Sequence, residues 1–133
     1  MIINHITYSV SDITEAVLFY NRVFNKEPVA IGEKLAYYDL DGLWFALNQE
    51  SVDRVKTYNH IAFFTDDLNQ TKSYLDSVAI EYTTGRSRHK NEFDSVYIRD
   101  IDFNLIEFHT GSLSDRLDHY KTQRQDIKIK EGL

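Results

Sequence analysis

The chain has no cysteine among its 133 residues. Disulfide frameworks, thiolate metal sites and a cysteine nucleophile are therefore excluded. It carries one proline and five glycines, which suits a compact chain with short turns. No apolar run approaches the length of a bilayer-crossing helix, so no membrane partner is expected. The first residues, MIINHITYSVSD, lack the basic start and apolar stretch of a secretion signal, and a cytoplasmic location is the expectation. There is no excess of basic charge either. A formal net charge of −6 argues against a nucleic-acid partner, which needs a broad basic surface. The local exception is Arg86, Arg88, His89 and Lys90, which reads either as a solvated loop or as an anion site.

What is present points to a globular protein. Hydrophobic residues make up 42% of the chain, and nine Tyr and eight Phe supply large core pieces. The length is that of one ordinary domain, long enough to bury a core.

The chain also repeats itself. Asn4-His5-Ile6 returns as Asn59-His60-Ile61, and the match extends into NHITYSVSDITEAVLFYNRVF and NHIAFFTDDLNQTKSYLDSV. Each stretch reads as a strand, an acidic cap and a helix. In the first, Ile6, Tyr8 and Val10 alternate with His5, Thr7 and Ser9, the period of a strand with one apolar face. Asp12 with Glu15 signals a capping box, and Ile13, Val17, Tyr20 and Phe24 give the buried stripe of the helix. Strands follow near 34–40 and 43–48 around a tight Asp41-Gly42 turn. The second copy predicts a strand over 58–65 and a helix capped by Asp66 or Asp67. Strands near 80–83, 94–99 and 103–109 complete it. A helix over 112–122, capped by Ser112 or Ser114, and a polar tail end the chain.

The expected fold class is α+β, with two tandem βαβββ modules. Residues 1–133 form a single domain: module one over 1–50, module two over 56–110, and a C-terminal helix and tail over 111–133. Each module curls its four strands into half a barrel with its helix outside.

The two histidines then share the inner face. Overlaying LWFAL, residues 43–47, on LIEFH, residues 105–109, matches Ala46 with Glu107. Four equivalent inward positions result: His5, Ala46, His60 and Glu107. Two imidazoles and a carboxylate form a ligand set for a borderline or hard divalent ion, and the alanine leaves coordination space open. Mn²⁺, Fe²⁺, Zn²⁺, Co²⁺ and Ni²⁺ all suit this set. His109 shares the inward face of its strand with Glu107 and is a rival ligand. His89 and His119 read as loop and helix-surface residues. Thr7, Trp44, Asn48, Tyr58, Ser95 and Tyr97 also point inward. Arg116, on the polar segment SDRLDHY, reads as a surface pairing residue.

With these residues in view, the chain resembles the fosfomycin-resistance metalloenzymes of the vicinal oxygen chelate superfamily, which includes the glyoxalases. INHITYSVSD, KLAYYDLDGLWFALN, TYNHIAF, DSVYI and IEFHTGSLSDRL carry the resemblance, which spans residues 3 to 120. It implies a paired βαβββ fold and a homodimer whose sites are built from both chains. It implies one divalent metal per site, Mn²⁺ first, with Mg²⁺, Zn²⁺, Ni²⁺ or Co²⁺ as alternatives, on residues matching His5, His60 and Glu107. The implied substrate is fosfomycin, an epoxide bearing a phosphonate. Residues matching Arg86, Ser95, Tyr97 and Arg116 would hold the phosphonate. Thr7 matches a residue beside the epoxide and, with Tyr37, is a catalytic candidate. Tyr37, Trp44, Asn48 and Tyr58 match pocket-lining positions.

Two branches of that family open the epoxide with different nucleophiles. Thiol-transferring members carry Cys where this chain has Thr7, and a DPDG turn where it has DIDF at 100–103. Water-adding members carry a glutamate base before GLW, and Glu33, Asp39 and Asp41 do not align with it. Water needs deprotonating, whereas a low-molecular-weight thiol such as bacillithiol or cysteine brings a stronger nucleophile. The expectation is thiol transfer, with hydrolysis or a non-catalytic small-molecule-binding relative as alternatives.

Overall fold

A computed structural model of the chain describes residues 1–85 and 94–133. Arg86, Arg88, His89 and Lys90 lie outside the described residues.

The first module runs β1 (His5–Val10), α1 (Ile13–Phe24), β2 (Ala30–Ile31), β3 (Leu35–Leu40) and β4 (Leu43–Gln49). The second runs β5 (His60–Phe64), α2 (Leu68–Ser77), β6 (Thr83–Thr84), β7 (Ser95–Arg99) and β8 (Leu105–His109), and α3 (Leu113–Gln123) follows. Each module makes a four-stranded sheet, ordered β1-β4-β3-β2 and β5-β8-β7-β6. The first and last strands of a module pair in parallel, because the helix carries the chain back across the sheet. The other pairs are antiparallel.

Local chemistry accounts for the ends of these elements. Asp12 accepts from the Glu15 N–H and Asp67 from the Gln70 N–H, so each helix of the repeat begins on an aspartate. Ser112 and Asp115 close a full capping box at α3. Asp41 and Gly42 both hold positive φ, 56° and 96°, the backbone of a two-residue turn whose twist matches its strands. α2 ends with Ala79 at φ 57°; Ala79 N–H donates to Asp76 O and Ile80 N–H to Leu75 O. That is the double bond pattern of a helix stop normally assigned to glycine.

One apolar cluster joins the two modules. Val10, Ile13, Val17, Tyr20, Phe45 and Leu47 from the first meet Leu75, Val96, Ile98 and Ile106 from the second. The Phe24 and Phe63 rings touch across the joint, 5.8 Å between centroids.

Polar groups lock the same joint. The Tyr20 hydroxyl, fully buried on α1, donates to Asp100 Oδ2 at 2.8 Å. Asp100 Oδ1 accepts from the N–H groups of Asp102 and Asn104. Asp102 accepts from the Ser11 N–H, and Asn104 donates to Ser9 O. The Tyr8 hydroxyl donates to Leu105 O at 2.6 Å and accepts from the Ile61 N–H at 3.1 Å. Burial pushes the Asp100 carboxyl up from its usual range, against the bonds from Asn104, Tyr20 and Asp102 that pull it down.

Three expectations need correcting. The strand β2 at 30–31 is not among those read from the sequence, and β6 lies at 83–84 rather than 80–83, since two residues carry no periodicity. His119, expected on a helix surface, is only 5% exposed. Along α3, His119 is buried and Asp115, Arg116, Leu117 and Tyr120 are half-buried, so polar residues share the side it turns inward. Arg116 is accordingly half-buried, with its guanidinium 5.7 Å from the Tyr120 ring centre.

Candidate metal and substrate site

The open face of each sheet is set by register. On the first, His5 lies beside Trp44, and Thr7 beside Ala46; Tyr37 flanks Ala46 on the other side. On the second, His60 lies beside Leu105, and Ala62 beside Glu107; Tyr97 flanks Glu107. Directly paired residues share a face. Ala46 and Glu107 are thus equivalent places, each next to the residue two past its histidine, and Tyr37 and Tyr97 are equivalent in turn.

The second face carries the more developed site. His60 Nε2 lies 3.2 Å from Glu107 Oε1. His60 Nδ1 is 2.6 Å from Tyr58 O, and a carbonyl only accepts, so Nδ1 carries the proton. In the neutral ring, Nε2 then presents a lone pair toward a carboxylate oxygen. Two such atoms face one another comfortably only with a proton or a cation between them. The donor chemistry therefore fits a divalent ion.

Glu107 is prepared for the same role. It is 7% exposed, and burial pushes its carboxyl up. Hydrogen bonds from Ser95 and Tyr97 lead the opposing effects, which outweigh burial and hold it below the usual carboxylate range. Tyr97 moves the other way: burial, the bond with Tyr58 and the neighbouring Glu107 raise it, so it stays a neutral phenol. The Tyr58 and Tyr97 hydroxyls lie 3.1 Å apart. His109, the rival ligand, turns Nδ1 to the Ser95 hydroxyl at 2.8 Å.

The first face carries the remaining candidates. His5 Nδ1 is 2.7 Å from Asn4 Oδ1, which again leaves Nε2 with the lone pair. Its ring lies 4.3 Å from that of Trp44, and Tyr37 meets Trp44 edge-on at 5.2 Å. His5, Thr7 and Asn48 are exposed. Among the described residues no three His, Asp or Glu side chains of one chain converge as a metal group. The chain thus brings together two of the candidate ligands, His60 and Glu107, with Tyr58, Ser95 and Tyr97 around them. His5, Thr7, Tyr37, Trp44 and Asn48 gather on the other sheet. Arg116 sits on α3, and Arg86 is outside the described residues. The sequence reading missed Lys56 and Arg99, which line a pocket beside the second site. Arg99 was within reach, since it continues the inward alternation of Ser95 and Tyr97.

The profile of the Glyoxalase/Bleomycin resistance protein/Dioxygenase superfamily matches residues 2–108. The chain belongs to this superfamily. Within it, the chain is 38% identical to the metallothiol transferase FosB of Bacillus licheniformis, over 98% of this chain and 88% of that protein. It is 40% identical to FosB of Shouchella clausii, over 96% of this chain and 92% of that protein. Among solved structures, the fosfomycin resistance protein FosX of Listeria monocytogenes, complexed with Mn(II) and sulfate, superposes with a TM-score of 0.78. It is 31% identical, over 90% of this chain and 99% of that one. FosX of Mesorhizobium loti gives a TM-score of 0.73 at 27% identity, over 88% of this chain and 99% of that one. The glyoxalase-superfamily fold thus accounts for both modules together. Among the described residues, no helix is long and apolar enough to cross a membrane.

Proposed function

We propose that this chain is a divalent-metal-dependent fosfomycin resistance enzyme that opens the epoxide by adding a low-molecular-weight thiol, and that it acts as a homodimer. The observation that carries the reading is the His60–Glu107 pair, with an acceptor lone pair and a low-lying carboxylate 3.2 Å apart. Full-length similarity to metallothiol transferases supports it.

The third ligand is His5 of a second copy. His5 presents Nε2 on an exposed face rich in pocket-type residues, while its own chain's His60 and Glu107 lie on another sheet. Joining module one of one copy to module two of another completes the triad, with Ala46 at the fourth equivalent place leaving room for substrate. A bound divalent ion, Mn²⁺ first, supplies Lewis-acid stabilisation of the charge that develops on the epoxide oxygen. The protein's own groups do the rest. Ser95, Tyr97, Arg86 and Arg116 offer donors to the phosphonate. Thr7 and Tyr37 stand beside the epoxide, Trp44 and Asn48 line its apolar and polar sides, and Tyr58 closes over His60.

The reaction balances without a further reagent. The thiol sulfur forms a C–S bond as the ring C–O bond breaks, the oxygen keeps the electron pair, and the proton lost by sulfur ends on that oxygen. Two of the nearby carboxylates serve the hairpin: Asp39 accepts from the Gly42 N–H and Asp41 pairs with Lys26.

The test is product mass spectrometry with Mn²⁺ and bacillithiol, cysteine, glutathione or water alone. A thiol adduct is expected. A diol formed without thiol would replace transfer by hydrolysis, and intact fosfomycin under every condition would leave only a binding role. His60→Ala should abolish Mn²⁺ binding, and full activity in that variant would refute the assigned ligands.

A further inference from the structure

A pocket of about 420 Å³ opens beside the His60–Glu107 pair, lined by Lys56, Tyr58, Glu81, Thr83, Tyr97 and Arg99 among others. Tyr58 and Tyr97 form the wall it shares with the metal site, their rings 4.8 and 6.3 Å from that of His60. The volume is within the range of small-ligand pockets, on the order of 300–1,000 Å³.

Two cations and one carboxylate line it, a local excess of positive charge in a chain whose formal net charge is −6. Neither cation belongs to the phosphonate set. Arg99 is fixed in place, donating to Phe103 O at 2.7 Å and Thr57 O at 3.0 Å. Lys56 Nζ lies 5.1 Å from the centre of the Phe103 ring. Phe103 itself holds φ at 69°, a left-handed backbone disfavoured for a bulky side chain. It sits next to both cations, so the strained turn and the positive pocket form one arrangement.

Resting on the thiol-transfer reading, we propose that this pocket receives the carboxylate-bearing end of the thiol co-substrate, with Lys56 as the residue that selects anionic thiols over neutral ones. The reaction brings two molecules to one site, and the phosphonate-binding residues account for only one of them. A thiol anchored by its carboxylate near Lys56 and Arg99 reaches the metal pair past Tyr58 and Tyr97. A thiol with no carboxylate gains nothing from the pocket, and Glu81 trims the attraction.

The experiment compares bacillithiol with 2-mercaptoethanol as co-substrate, reading the ratio of their kcat/KM values in the Mn²⁺-loaded enzyme. Lys56→Gln should lower that ratio about tenfold, the scale of one lost charge-assisted bond. Lys56→Arg should restore it, and Glu81→Gln should raise it. The opposite signs separate charge from general damage to the fold. An unchanged ratio in Lys56→Gln, or the same fall in Lys56→Arg, would overturn the pocket assignment while leaving thiol transfer standing. A wild-type enzyme that transfers no thiol at all would remove the functional reading and this inference with it.

Discussion

Replacing Tyr20 by Phe removes one hydroxyl and almost no volume, so it isolates the bond that crosses between α1 and the β7–β8 turn. The hydroxyl is fully buried and lies 2.8 Å from Asp100 Oδ2. A hydrogen bond to a charged partner contributes roughly 1.5–3 kcal/mol, and no cavity is left behind, so the expected loss is about 2 kcal/mol. Asp100 would keep three donors: the N–H groups of Asp102 and Asn104 and the Asn104 amide. Urea unfolding at fixed protein concentration and metal content measures the difference. The sign with pH is also determined. Asp100 titrates above its usual 3.8 in the fold. Its stabilising contribution is therefore complete below 3.8 and is lost as pH rises through the folded value. Tyr20 opposes that loss by favouring the ionised form. The gap between wild type and Tyr20→Phe should widen from pH 3 toward pH 7. A loss below about 0.5 kcal/mol, or one independent of pH, would refute the bond's role in holding the modules together.

Other outcomes follow from single positions. Ala79→Gly should stabilise the chain by about 0.5–1 kcal/mol in urea unfolding, because Ala79 is exposed and glycine relieves its left-handed φ of 57°. Gly42→Ala should act the other way, by about 1–2 kcal/mol; nothing lies within 4 Å of an added Cβ, so the effect is purely one of backbone conformation at φ 96°. Ser95→Ala should weaken Mn²⁺ binding about 10–100-fold by calorimetry, since Ser95 supports both Glu107 and His109.

The site was legible in the sequence to the extent that it rests on strand periodicity. Alternation placed His5 and Thr7 on one face and Ile6, Tyr8 and Val10 on the other, and the repeat then aligned Ala46 with Glu107. The register of β4 and β8 bears that alignment out. Periodicity reports which way a side chain faces within its own sheet; how two sheets are disposed depends on contacts far apart in the chain. The separation of His5 from His60 and Glu107 was therefore not visible. The burial of Asp100 and Asp102 was hidden for the same reason. An acidic turn reads as solvated until Tyr20 and Ser11, some 80 to 90 positions earlier, are seen to donate to it. Lys56 carries no pattern at all.

The Tyr8 hydroxyl has a consequence for how the halves depend on one another. It serves one backbone donor on β5 and one backbone acceptor on β8. Its counterpart in the second copy is Phe63, which has no hydroxyl to return the favour. At this position the duplicated units have diverged, one supplying a hydroxyl that the other does not return. Cut between residues 50 and 56, the C-terminal piece would lose its borrowed hydroxyl together with the Tyr20, Ser9 and Ser11 contacts. Each piece would keep the strand-to-strand bonds of its own sheet, and the N-terminal piece would lose the donors that Asn104 and Tyr74 bring to Ser9 O and Arg22 O.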